Sequence, residues 1–241
     1  MRICHSEWLK CRKSPFLLVN LILYAILGGL LAIYLSFSRH SIGEQSLINV
    51  LDMVSLLVPF TIVLNTYFLM EIEENEHRYY TLFVIKEKWQ YLLVKIFFSL
   101  ALLMFDFLLV SIGFSLIVSF LNLESLSLVA LTLLFIKQLV LSIPFVLIGL
   151  YLALNQTLIG SLFFGSLNTL FTMLLTNIPN FKVTAFLPWS WVHINNVWRM
   201  NNKGVTSYVI YIIFGLCAIL TLVLTSLFLV WFSKWEGEKS R

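Results

Sequence analysis

Charge is what this chain has least of. Only 12% of its 241 residues are Asp, Glu, Lys or Arg, while 60% are hydrophobic. A soluble domain carries about 25% charged residues, so this composition does not supply a water-facing surface. The chain has three cysteines. Cys4 and Cys11 precede the first apolar run and Cys217 lies inside the last, so no disulfide framework is implied. No G-x-x-x-x-G-K-[ST] stretch occurs, which excludes nucleotide binding by a P-loop on this chain. There is no internal repeat and no low-complexity linker, and the polar segments are too short to bury a core of their own. The organisation expected is therefore one membrane domain over residues 1–241.

What the chain has in abundance is apolar runs, with a mean hydropathy of +0.93. Crossing a bilayer as a helix takes roughly 20 predominantly apolar residues. Segments of that kind lie at 16–37, 51–70, 91–121, 127–154, 158–175 and 207–232. This predicts an all-α polytopic protein with six transmembrane helices. The fourth and fifth runs are separated only by Asn155, Gln156 and Thr157, read as a tight turn. The first run is longer than the core of a signal peptide and no small-residue cleavage site follows it, so it is expected to stay as a span.

An even number of spans puts both termini on one side. The terminal tails and the segment between spans two and three hold about 11 of the lysines and arginines, against about four in the opposite loops, so the termini are expected in the cytoplasm. The net charge of +4 is mostly this orientation signal and gives no reason to propose nucleic acid as a partner.

Residues 71–95, EIEENEHRYYTLFVIKEKWQYLLVK, interrupt the apolar runs. A cytoplasmic loop has to be polar, which explains the charge but not its order. Acidic residues Glu71, Glu73, Glu74 and Glu76 come first, then Arg78, Tyr79 and Tyr80, then an apolar patch, then lysines and Trp89. Glutamates in the first turns suit a helix dipole, and the tyrosines with Leu82 and Phe83 offer an apolar face. The expectation is a short surface helix that docks a cytosolic partner. Glu73, Glu74 and Arg78 also spell E-E-x-x-x-R, which resembles the first motif of CAAX-type intramembrane proteases, whose paired glutamates activate water. That chemistry needs histidines converging from other spans. His5, His40, His77 and His193 all fall outside the apolar runs.

Taken over its whole length, the chain resembles the type-2 ABC transporter permeases, and among them the small subunits of lantibiotic self-immunity exporters of Gram-positive bacteria. The features that carry the likeness are the amphipathic start MRICHSEWLKCRKSP, the six runs, the charged stretch leading through IKEKWQYLLVK, and LPWSWV in the last outer loop. The resemblance implies an elbow helix at 1–15 and a cytoplasmic coupling helix at 71–90 seated in a separate ATPase. It also implies a second permease subunit, identical or related, and an amphipathic antimicrobial peptide as cargo in a bacterial cell membrane. ATP and Mg2+ would belong to the partner ATPase, with no cofactor, metal or catalytic residue on this chain. Alternatives are a type-2 permease for a drug, a lipid or another amphipathic peptide, the protease, and a carrier working alone.

Two ionisable residues fall within spans, Asp106 and Lys137. Each costs roughly 2.5–3.5 kcal/mol near the bilayer centre on insertion scales. Counted from the turn near Glu124, their depths differ by roughly 7 Å, which a lysine stem largely covers. The expectation is an ion pair locking spans three and four. Asp52 is expected to open the second span as an N-terminal carboxylate. Residues 176–206, with Trp189, Trp191 and Trp198, have the chemistry of a headgroup-level belt. They are read as a short re-entrant or interfacial segment, an anchor that also offers a surface to an amphipathic cationic peptide. Asn65, Asn168, Gly113, Gly149, Gly160, Gly165 and Gly215 are read as packing residues between helices.

Overall fold

The computed structural model describes residues 8–12, 14–37, 44–77, 88–120, 128–176, 184–201 and 207–234. A helical stretch at 8–12 precedes α1 (Phe16–Phe37), α2 (Glu44–His77), α3 (Lys88–Phe120), α4 (Leu128–Asn155) and α5 (Leu158–Thr176). A 3-10 turn (Pro188–Ser190) then leads into α6 (Trp191–Asn201), and α7 (Ser207–Lys234) follows. The described residues form no strand. Five apolar windows are long enough to span a bilayer: Met53–Ile72, Trp89–Phe114, Phe135–Asn155, Leu158–Leu175 and Tyr208–Lys234. By helix length and hydropathy this is a multi-pass membrane protein. Within α1 the apolar stretch is shorter, Leu17–Leu31.

The centre of the bundle is α2, with 67% of its apolar window buried against 17% for α7. It packs against α4 and α5, and more lightly against α6 and α3. Side chains at helical spacing, Val54, Val58, Ile62 and Leu69, are all buried. Phe107 of α3 stacks on Phe135 of α4 with centroids 4.6 Å apart. At α5, Leu170, Phe171 and Leu174 face outward, as do Leu222, Leu227 and Val230 of α7, the pattern of helices turned to lipid.

Close approach is set by glycine. A Cβ at Gly28 of α1 would lie 2.3 Å from the Val110 carbonyl oxygen, and one at Gly113 of α3 would lie 2.6 Å from that of Ala25. These helices therefore meet backbone to backbone, as small residues permit in lipid. Gly149 of α4 faces the Thr66 side chain of α2, and Gly165 of α5 faces the Phe60 Cα of α2. Gly215 has open space around it and makes no such contact.

The link between α4 and α5 is as short as expected. Thr157 caps α5, its hydroxyl accepting the Gly160 N–H at 3.4 Å. Two boundaries differ from the sequence reading. Helix α2 begins at Glu44, so Asp52 sits two turns inside it rather than at its N-terminus. It also runs on past the apolar window, which closes at Ile72, through Glu73, Glu74 and Glu76 to His77. The acidic residues thus extend the central helix; they do not begin a separate surface helix. A helix with unbroken i to i+4 bonds needs no apolar residues of its own to continue for a turn or two.

Candidate functional site

Three places combine buried polar groups with helix junctions. The first joins α1, α2 and α3. Asn65 donates from Nδ2 to Asp106 Oδ2 at 2.6 Å. Asn20 donates from Nδ2 to Asp106 Oδ1 at 3.3 Å and to Asn65 Oδ1 at 3.1 Å. All three residues are at most 1% exposed. Each carboxylate oxygen therefore receives an amide N–H from a different helix. Tyr24, one turn along α1 from Asn20, is also buried. Thr61 of α2 donates its hydroxyl hydrogen to the Val58 carbonyl at 2.9 Å. The groups that hold Asp106 are thus amides, Asn20 and Asn65, and not Lys137. Lys137 is half-buried on α4, and it is Phe135, two residues and about 200° away, that faces α3. The sequence signal for this cluster was a lone amide, Asn20, in an otherwise apolar run.

The second place is the root of the α2 extension. Lys95, expected in the wet loop, is 1% exposed inside α3. Its ammonium lies 3.4 Å from the Leu69 carbonyl of α2 and 5.3 Å above the Tyr91 ring. Cation–π attraction and a charge-assisted bond to a carbonyl are the contacts that make burial of an ammonium tolerable. Tyr91 in turn stacks on Phe232 of α7. Of the docking residues expected from sequence, Glu71 is half-buried just beyond this root. Glu73, Glu74 and Glu76 lie on the helical extension, while Arg78, Tyr79 and Tyr80 fall outside the described residues. His77 ends the same helix, and His193 stands on α6.

The third place is the segment 184–201, which enters the bundle from the side where α5 ends. Trp189 donates its indole N–H to Asn168 Oδ1 and packs on Phe145 and Phe171. Asn168 is about 15 Å along α5 from Leu158 and about 12 Å from Thr176, so the turn sits midway through the bundle. From there α6 climbs back beside α4, where Gln138 donates to Asn196 Oδ1 at 3.3 Å. The 3-10 turn is thus packed inside the bundle, where irregular backbone persists only if protein or water satisfies it. Its own side chains do much of this. Ser190 donates to the Thr184 carbonyl, Trp191 Nε1 to the Ala185 carbonyl at 2.8 Å, and the Leu187 N–H to Thr184 at 2.9 Å.

Trp189 and Trp191 accordingly pack against other helices of the bundle. Trp191 is 1% exposed in an apolar cluster with Leu141, Ile194 and Ile213, and Trp189 is held at mid-depth. Trp198 lies on α6 with its side chain outside the described residues. The short 8–12 helix tucks Cys11 against Leu69 and Leu102 and leaves Trp8 exposed. Among the described residues no group of three His, Cys, Asp or Glu side chains is placed to hold a metal.

Compared with known proteins, the chain matches no family model, no curated protein and no solved structure.

Proposed function

We propose that this chain is the membrane-spanning permease subunit of an ATP-driven exporter, working beside a second permease subunit and a separate ATPase that carries ATP and Mg2+. The observation that carries the reading is the continuity of α2. The most deeply packed helix of the bundle extends unbroken into the charged segment Glu71–His77, and Lys95 and Tyr91 brace it at the point of exit. A force applied to Glu71, Glu73, Glu74 or Glu76 is delivered to the helix against which α4 and α5 are packed. A partner that binds two positions of this lever unequally shifts the bundle between two conformations, which is all that coupling requires.

In this reading residues 71–90 form the docking element in the cytoplasm, with Arg78, Tyr79 and Tyr80 completing it. The termini share that side, α1 makes the sixth crossing, and the chain itself performs no chemistry. The cargo in this proposal is an amphipathic antimicrobial peptide, expelled in self-protection from a bacterial cell membrane. This last step rests on the resemblance alone.

The test is co-purification. Glu73→Ala with Glu74→Ala should abolish recovery of a nucleotide-hydrolysing subunit from the native membrane while leaving the solubilised chain monodisperse. Retained recovery together with loss of a peptide-cleaving activity of the purified chain would favour a protease instead.

A further inference from the structure

We propose that the cleft between the 8–12 helix, α1 and α3 holds an acyl chain of an anionic phospholipid, whose headgroup is met by Arg12. The cleft has a volume of about 540 Å³. On its buried side are Cys11 and Leu102, which cluster with Leu69 of α2. Leu17 and Leu21 of α1 and Phe98 and Phe105 of α3 form its walls, and Trp8 lines it while remaining exposed. The sequence explains why a space is left here. At Gly28 and Gly113 the backbones of α1 and α3 touch, whereas two turns earlier in each helix Leu21 and Phe105 stand in the lining.

No charged or amide side chain lines the cleft, so a water inside it would lack the partners it needs. Left empty, the lining would forfeit its dispersion contacts on one side. The rim residues Leu18, Leu21 and Phe97 are exposed on apolar helices, and the medium around such helices is hydrocarbon. From Phe97 to Phe105 the cleft runs about 12 Å along α3. One leaflet occupies about 15 Å of a hydrocarbon core about 30 Å thick, so the cleft follows most of the length of one tail.

Apolar walls alone do not choose among lipids, since tails are as apolar as leucine. Charge does. Arg12 directly follows Cys11 of the lining and is exposed, and Lys10 is half-buried on the same short helix. No acidic residue occurs among residues 8–12 to offset them. Arginine suits a phosphate by its planar fork of donors. The proposal needs no ATPase, so failure of the docking reading leaves it intact.

The experiment reconstitutes the full-length chain in vesicles of equal parts phosphatidylglycerol and phosphatidylcholine, extracts it in mild detergent, and counts retained lipid by native mass spectrometry. The expected result is retained phosphatidylglycerol in preference to phosphatidylcholine. Ala101 lines the cleft and is exposed, so Ala101→Trp fills the space without entering the core and should remove most of the retained lipid. Arg12→Gln leaves the cleft intact and should lower the preference for phosphatidylglycerol about fivefold, the effect of one cation beside an anionic surface. Equal retention of the two lipids by the native chain, or retention unchanged by both substitutions in monodisperse protein, would overturn the proposal. So would a lipid-free dimer that Ala101→Trp splits, which would put a second copy of the chain in the cleft.

Discussion

The thiol of Cys217 on α7 lies 3.5 Å from the carbonyl oxygen of Val140 on α4. Val140 is the residue whose intrahelical donor is missing, because Pro144, four positions on, has no N–H. The proline thus frees an acceptor within the bundle and a thiol from the outermost helix takes it. Cys217→Ala should lower stability by about 0.5–1 kcal/mol, and the same change in a Pro144→Ala background should cost less, since the restored N–H satisfies Val140. Equal losses in both backgrounds, read from thermal unfolding in detergent, would mean the contact contributes nothing.

Gly28 and Gly113 set the spacing of α1 and α3. Their missing Cβ atoms would fall on backbone oxygens, which have no rotamer by which to retreat. Gly28→Ala and Gly113→Ala should each destabilise by about 1–3 kcal/mol through overpacking. Gly215→Ala, with open space around it, should be neutral or stabilise by up to about 1 kcal/mol. Thermal unfolding of the three variants side by side checks this ordering.

Asp106 holds two amide donors from two helices. Asp106→Leu strands both in a dry core and should cost about 2–6 kcal/mol, seen as loss of folded, extractable protein. Asp106→Asn keeps the shape and at least one acceptor and should retain the fold. If Lys137 held Asp106, Lys137→Met would be as damaging as Asp106→Leu; the amide arrangement predicts it is much milder.

The proposed lever can be broken without replacing a docking residue. Ile72→Pro interrupts α2 just before Glu73, at a cost of about 3 kcal/mol or more in a helix interior. ATPase recovery should persist while export falls to background. Export at the native rate would show that a continuous α2 is unnecessary.

Much of this fold is legible in the sequence, because spanning a bilayer demands long apolar runs and the two-residue break after Asn155 is punctuated by polar side chains. Orientation within the bundle is not legible. Helices apolar on every side carry no periodic signal of which face turns inward, so the sequence pairs Asp106 with the nearest cation in depth and not with the amides it faces. Lys95 reads as loop because a buried ammonium depends on a carbonyl and a ring from elsewhere in the chain, Leu69 and Tyr91. Trp191 reads as interfacial for the same reason: a tryptophan buried against other helices has the same local context as one that meets headgroups. The continuation of α2 to His77 was hidden because the change from apolar to acidic marks the edge of the membrane, not the end of a helix.

The most direct measurement places a photo-crosslinking amino acid at Glu74, on the helical extension, and at Tyr80, in the docking segment, in living cells. The account predicts a covalent adduct with a nucleotide-hydrolysing protein at both positions. Adducts with lipid alone, or none with any such protein, would contradict it.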